Sequence, residues 1–270
     1  MPYRMVAIDL DGTLLTDDKR VSEGNLAELR RVIAQGVHVI ISTGRAWPGA
    51  KPFVRMLGLT LPVITSNGAM IVDSGSEDIL FKKDLSPEAA KIILEGGRAR
   101  MTSQIIWSAN RLYGLPLDER LADYGKRFGL MEPKPMPPIE TLFDVGVSKI
   151  LWYDDPEHIA AWVSEAQKGI LFDKMPENVT ICKSLPVYAE FFRGDVSKAK
   201  ALEAVASMYG VPMEETIAIG DADNDLPMLK AAGMGVVMGN ADESVKAMAD
   251  FVTKDNEHDG VAYALSRLIS

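Results

Sequence analysis

Short apolar runs alternate with stretches of helical period near both ends of this chain, and each run stops abruptly at polar residues. Residues 5–8, MVAI, are the first run and lead straight into Asp9, Leu10, Asp11, Gly12 and Thr13. Ser22 is placed to cap a helix through about Gln35, with Leu26, Leu29 and Ile33 on one face and Gly36 as its stop. VHVIIS at 37–42 reads as a second strand ending in Thr43-Gly44-Arg45. A short helix follows around 47–57, and PVIT at 62–65 reads as a third strand ending in Ser66-Asn67-Gly68. Strands separated by helices imply right-handed crossovers and a parallel sheet, so these polar ends should gather on one edge.

From residue 69 the pattern changes. AMIVD and DILFKK around Ser74-Gly75-Ser76 predict a hairpin, and Ser86-Pro87-Glu88 and Asp155-Pro156-Glu157 both predict helix starts. Helical stretches then alternate with the strand-like SQIIWS, VSKILWYD, VTICKS and VYAEFF, while PKPMPP at 133–138 reads as a stiff loop. Residues 83–185 are therefore read as an α+β module inserted into an α/β domain made of 1–82 and 186–270. From Ser197 the helix–strand alternation resumes. The run TIAIG ends in Asp221-Ala222-Asp223-Asn224-Asp225, and a final helix is expected from Asp259.

Composition narrows the function classes. A chain of 270 residues with 47% hydrophobic and 25% charged positions is long enough for two domains with their own cores. The net charge of −9 argues against nucleic acid or an anionic membrane surface as partner, though a metal and a lysine can reverse the potential locally for a small anion. Cys182 is the only cysteine, which excludes an intrachain disulfide and fits a reducing compartment. With no leader pattern and no apolar run of about 18 residues, a cytoplasmic location is expected. Oligomeric state is left open by the composition.

Four predicted strand ends carry the candidate chemistry: Asp9 and Asp11, Thr43, Asn67, and Asp221 with Asn224 and Asp225. Taken singly, each could be a turn, and Lys198 could be a surface lysine. An EF-hand calcium loop starting at Asp221 fails, because Leu226 stands where glycine is needed and Ala232 where glutamate is needed. Neither a dinucleotide fingerprint nor a Walker loop is present. Carboxylates from two strand ends suit a hard cation such as Mg²⁺. A hydroxyl, an amide and an ammonium beside them suit a phosphoryl group. One carboxylate could then attack phosphorus while the other moves protons.

The sequence D9-L-D11-G-T-L, the T43-G-R that ends the second strand, Lys198 in VSK, and G220-D-A-D-N-D225 together resemble the four motifs of the haloacid-dehalogenase superfamily, in order and spacing. S66-N-G, M238-G-N-A and D259-G-V-A resemble its Cof-type (subfamily IIB) sugar-phosphatase branch, over the full chain. The resemblance implies a Rossmann-like parallel-sheet core with an inserted α+β cap of the C2B type. It also implies Mg²⁺-dependent hydrolysis of small phosphorylated metabolites through an aspartyl-phosphate. On that reading Asp9 is nucleophile and metal ligand, and Asp11 is general acid/base and a ligand through its carbonyl. The Leu10 and Gly44 amides, Thr43, Lys198 and Asn224 hold phosphate, and Asp221 and Asp225 complete the metal site. Arg45 and Asn67 are further candidates, Arg45 either for substrate or as partner to a nearby acid. A phosphomutase and a phospho-acceptor signalling domain are the alternatives; against the second stands Asp11, useful for turnover and not for storage. Around Lys198 the chain departs from the branch: Arg193 replaces a proline, and Asp195 and Ala199 replace glycines.

Overall fold

A computed structural model describes residues 3–127 and 133–269. The chain forms two units, Met1–Phe81 with Val196–Ser270, and Lys82–Asp195.

In the first unit five parallel strands lie in the order Phe251–Val252, Met234–Val237, Thr216–Gly220, Met5–Ile8 and His38–Ile41. Met5–Ile8 is buried at every position, and strand alternation explains why. Val6 and Ile8 pack with Val39, Ile41, Ile217 and Ile219 against the Glu23–Ala34 and Gly260–Leu268 helices through Leu29, Val32, Val261 and Leu265. Met5 and Ala7 pack on the other face with Ile40 and Ala218 against Leu202 and Val205 of the Lys198–Met208 helix. A strand covered on both faces must be apolar throughout, hence the unbroken run in the sequence. Ser22 caps its helix through the Asn25 N–H at 3.2 Å, and Gly36 ends it at φ 86°.

The third predicted strand behaves differently. Among the described residues, Val63–Thr65 pairs with the parallel sheet only through the isolated bridge between Ser42 and Ile64, and heads an antiparallel sheet with Met70–Val72 and Ile79–Lys82. The cause is local: Ser66 and Asn67 both adopt left-handed backbone, φ 50° and 57°, which turns the chain back at once.

The second unit is a six-stranded sheet in the order Val179–Leu185, Tyr188–Arg193, Lys149–Tyr153, Ser103–Ser108, Arg111–Leu115 and Lys134–Pro135. All neighbours are antiparallel except the last pair. Helices Pro87–Ala99 and Pro156–Gln167 cover one face, over Ile106, Ile150, Trp152 and Phe191. Two expectations need correction. The Tyr188–Arg193 strand lies inside this unit, hydrogen-bonded between Val179–Leu185 and Lys149–Tyr153, so the inserted module runs past 185 to Asp195. Part of the PKPMPP stretch is a two-residue edge strand, the kind of position that tolerates proline. The atypical Asp195 has a clear function here: it accepts from Arg193 at 2.9 Å and 3.0 Å and pairs with Lys83 at 2.7 Å, tying together the two ends of the inserted module.

Candidate active site

The Met5–Ile8 strand ends as Asp9 donates its N–H to the Ile219 carbonyl at 3.0 Å. The chain then coils back, with the Leu14 and Leu15 N–H groups on the Asp9 and Leu10 carbonyls at 3.3 Å and 2.9 Å. Gly12 allows this twice over. Its φ is 76°, and a Cβ there would fall 2.4 Å from Asp221 Oδ2. The Thr13 hydroxyl donates to Asp221 Oδ1 at 2.7 Å, joining the ends of two neighbouring strands.

Lys198 enters from the helix capped by Ser197. Its ammonium donates to Asp9 Oδ1 at 2.6 Å and to Asp225 Oδ1 at 2.5 Å, and its side chain is fully buried. Asp225 Oδ2 accepts from the Asp221 and Ala222 N–H groups at 3.0 Å and 3.1 Å. Placement of Lys198 depends on Gly68, where a Cβ would lie 2.2 Å from the Ser197 carbonyl oxygen. Gly68→Ala is therefore expected to cost about 2 kcal/mol or more of stability in chemical denaturation, through backbone collision and φ 91° together.

Electrostatics mark this cluster out. Burial pushes the Asp9 carboxyl well above the usual carboxylate range, and although Lys198 lowers it, Asp225 and Asp221 push it further up. Asp221 is pushed up to about 6, by burial first and then by Asp225 and Asp11, against the lowering effect of Thr13 and Lys198. Burial would discharge Lys198, but Asp225 and Asp9 outweigh it and hold the ammonium charged. Carboxylate oxygens of Asp9, Asp221 and Asp225 come within 4.8 Å of one another. An all-oxygen set with more negative charge than one lysine balances fits a hard divalent cation. Both oxygens of Asp225 are already engaged, which suits it to orienting Lys198 and the Asp221 loop.

The second strand's end supplies the neighbouring wall. Buried Thr43 accepts the Asn67 N–H on its carbonyl at 3.1 Å, and its hydroxyl accepts the Arg45 N–H at 3.1 Å. A Cβ on Gly44 would sit 2.9 Å from Asn67 Oδ1, the same oxygen that accepts from Asn224 Nδ2 at 2.9 Å. Arg45 pairs with a nearby acid. Its guanidinium grips Asp11 with two bonds of 2.6 Å, while Lys19 adds a third contact at 3.0 Å. Burial would raise the Asp11 carboxyl, but the hydrogen bonds and charge of Arg45 and Lys19 hold it below its ordinary value.

The sequence pattern of the haloacid dehalogenase-like hydrolases matches residues 6–265. The chain belongs to that family. A putative phosphatase of Streptococcus pyogenes is 32% identical over all of this chain and 99% of its own length. A 5-amino-6-(5-phospho-D-ribitylamino)uracil phosphatase of Bacillus subtilis is 30% identical, covering 97% and 94%. A haloacid dehalogenase-like hydrolase structure from Bacteroides thetaiotaomicron superposes with TM-score 0.85 at 29% identity, over 99% of this chain and 100% of that one. The chain is thus a Cof-type haloacid dehalogenase-like hydrolase, in enzyme class a phosphoric monoester hydrolase.

One part of this hydrolase's site lay outside the residues singled out for chemistry. Asn240 donates through Nδ2 to the Gly12 carbonyl at 2.8 Å, and its own oxygen accepts the Asn256 N–H at 3.1 Å. Buried Asn256 in turn donates to the Leu15 carbonyl and to Asp17 Oδ1, both at 3.1 Å. Asp259 takes the Ser22 hydroxyl at 2.5 Å. M238-G-N-A thus braces the loop that carries Asp9 and Asp11 through Asn240, with Asn256 beside it, while D259-G-V-A steadies the start of the Glu23–Ala34 helix through Ser22. Their only signal in the sequence was the resemblance itself.

Proposed function

We propose that this phosphatase hydrolyses phosphate monoesters of small metabolites, sugar and polyol phosphates foremost, with Mg²⁺ and through an aspartyl-phosphate on Asp9. The observation that carries this reading is the position of the Asp9 carboxylate, 2.6 Å from a buried ammonium and within a cluster of two further carboxylates. A phosphorylated ribityl chain in the name of one relative's substrate supports the polyol class.

The chemistry follows from the groups present. Lys198, the Thr43 hydroxyl, Asn224 and the Leu10 and Gly44 amides hold the phosphoryl oxygens. Asp9, Asp221 and the Asp11 carbonyl, steadied by Asp225, would hold Mg²⁺, which when bound would supply positive charge against the phosphoryl group. An Asp9 oxygen forms a bond to phosphorus as the ester P–O bond breaks, and the leaving oxygen takes a proton from Asp11. Asp11 then takes a proton from water, whose oxygen bonds to phosphorus as the acyl-phosphate P–O bond breaks. Inorganic phosphate leaves and Asp9 is restored. Clamped by Arg45, Asp11 is in the proton-accepting form, so delivering a proton in the first step requires it to leave that clamp. The inserted unit interrupts the chain between Phe81 and Val196, just ahead of Lys198, and we assign to it recognition of the leaving group.

The test is release of inorganic phosphate across a panel of phosphorylated metabolites. Activity on sugar and polyol phosphates should vanish in excess chelator and return with Mg²⁺ but not with Ca²⁺, whose longer bonds and higher coordination number misplace the in-line geometry. Undiminished turnover in chelator would overturn the metal reading. Activity confined to substrates without a sugar or polyol would overturn the substrate class.

A further inference from the structure

Ile79, Leu80 and Phe81 form an apolar run with 36%, 47% and 40% of their surfaces exposed. They belong to Ile79–Lys82, the outermost strand of the small antiparallel sheet, and among the described residues no strand pairs with its outer side. Such an edge is normally shielded from other chains. Here the flanking charges have an order: Glu77-Asp78 on one side of the run and Lys82-Lys83 on the other.

The backbone direction is set by the hairpin. The Asp73 N–H donates to the Asp78 carbonyl at 2.9 Å, and the Glu77 N–H donates to the Asp73 carbonyl at 3.0 Å, with Glu77 at φ 65° as the extra residue of a bulge. Asp78 therefore faces the inner strand, and by alternation Ile79 and Phe81 direct their N–H and C=O groups outward.

We propose that a second copy of this chain docks on this edge, antiparallel and two-fold symmetric about Leu80. In that register Ile79 lies opposite Phe81 of the second copy, Leu80 opposite Leu80, and Asp78 opposite Lys82. Both outward residues exchange their two hydrogen bonds with a partner, and each charge meets its opposite. The sheets join into one. Sliding one strand by two residues loses this match: one direction sets Glu77 against Phe81, and the other sets Asp78 against Asp84. Like charges directly opposite each other disfavour pairing. The contact is isologous, so it closes at two copies, and the charges select the register. Lys82 also touches Asp84 of its own chain at 3.0 Å, so salt should weaken the dimer only modestly.

Sedimentation velocity of the full chain over ~1–100 µM, a range suited to a small interface, should show a monomer–dimer equilibrium. Asp78→Lys sets lysines opposite each other twice and should weaken it about tenfold or more. Asp78→Lys with Lys82→Glu should restore it, because the opposition is recreated with signs exchanged. Phe81→Pro, which deletes one outward N–H without touching the inner ladder, should leave monomer. A chain that is monomeric throughout, a dimer indifferent to Asp78→Lys and Phe81→Pro, or a double variant that stays as weak as the single one would each overturn the proposal.

Discussion

On the proposed mechanism Asp9→Asn should abolish phosphate release, by on the order of 10⁴-fold or more, since an amide would replace the carboxylate nucleophile and the remaining groups could only bind. The fold should not suffer. The Asp9 carboxyl is raised in the folded state, by burial first, so its ionised form opposes folding at neutral pH. The sign is the reverse of the usual carboxylate case: folded Asp9 holds its proton to higher pH than unfolded Asp9, so stability falls as pH rises across the interval between the two values. A neutral isostere removes that loss. In chelator, the thermal midpoint of Asp9→Asn should therefore equal or exceed that of the parent at pH 8, with the difference narrowing toward pH 5. Stabilisation by added Mg²⁺ should shrink in the variant if Asp9 is the ligand proposed above, because that position would have lost its charge. A variant that unfolds several degrees lower than the parent in chelator would contradict the charge assignment, and one that keeps normal turnover would remove Asp9 from the chemistry.

Lys198→Met should be the most destabilising single change at the site. The ammonium is completely buried between Asp9 and Asp225, and removing it leaves two buried carboxylates 2.6 Å and 2.5 Å from where their shared partner stood. Removing one member of such a group costs about 3–5 kcal/mol, because the charges left behind are neither solvated nor paired. The folded-state value of Lys198 is raised, so its contribution is fully present at neutral pH and is lost only as pH rises through that raised value. Urea denaturation at pH 7 reads the whole effect. Acidification should shrink the penalty as Asp9 takes up a proton, and Mg²⁺ should recover part of it. A loss below about 1 kcal/mol at pH 7 would mean that water has replaced the ammonium.

Much of the site was legible because its chemistry sits at strand ends, where an apolar run is cut off by the residues that do the work. Asp9 with Asp11, Thr43, Asn67, and Asp221 with Asn224 and Asp225 were expected on one edge from that rule, and the hydrogen bonds now seen tie Lys198 to Asp9 and Asp225, Thr13 to Asp221, and Asn224 to Asn67. Arg45 could not be assigned, since a guanidinium near an acid and near an anion site looks the same in one dimension; in the structure it makes two bonds to Asp11. Asn240 was marked only by the resemblance of M238-G-N-A, and Asn256 was not marked at all, for another reason. An amide that props a carbonyl has no charge or spacing signature, and its partner, the Gly12 carbonyl, lies far away in sequence. The inserted unit's end was placed too early because VYAEFF reads as a strand without saying which sheet owns it. Pairing with Lys149–Tyr153 is a long-range fact that no local pattern contains.

The position of Met5–Ile8 as an inner strand has a consequence for how the protein is made. Its partner on one side, His38–Ile41, follows soon, but on the other side Met5 pairs with Thr216, a separation of 211 residues. At translation rates of ~5–20 residues per second, roughly 10–40 s pass between emergence of the two. The whole of Lys82–Asp195, with its own core and every pairing internal to it, is synthesised within that interval. Local contacts form before distant ones, so this unit is expected to fold while the strand bearing Asp9 still has one open edge. Met5–Ile8 gains its second neighbour in the sheet only once Thr216–Gly220 has emerged.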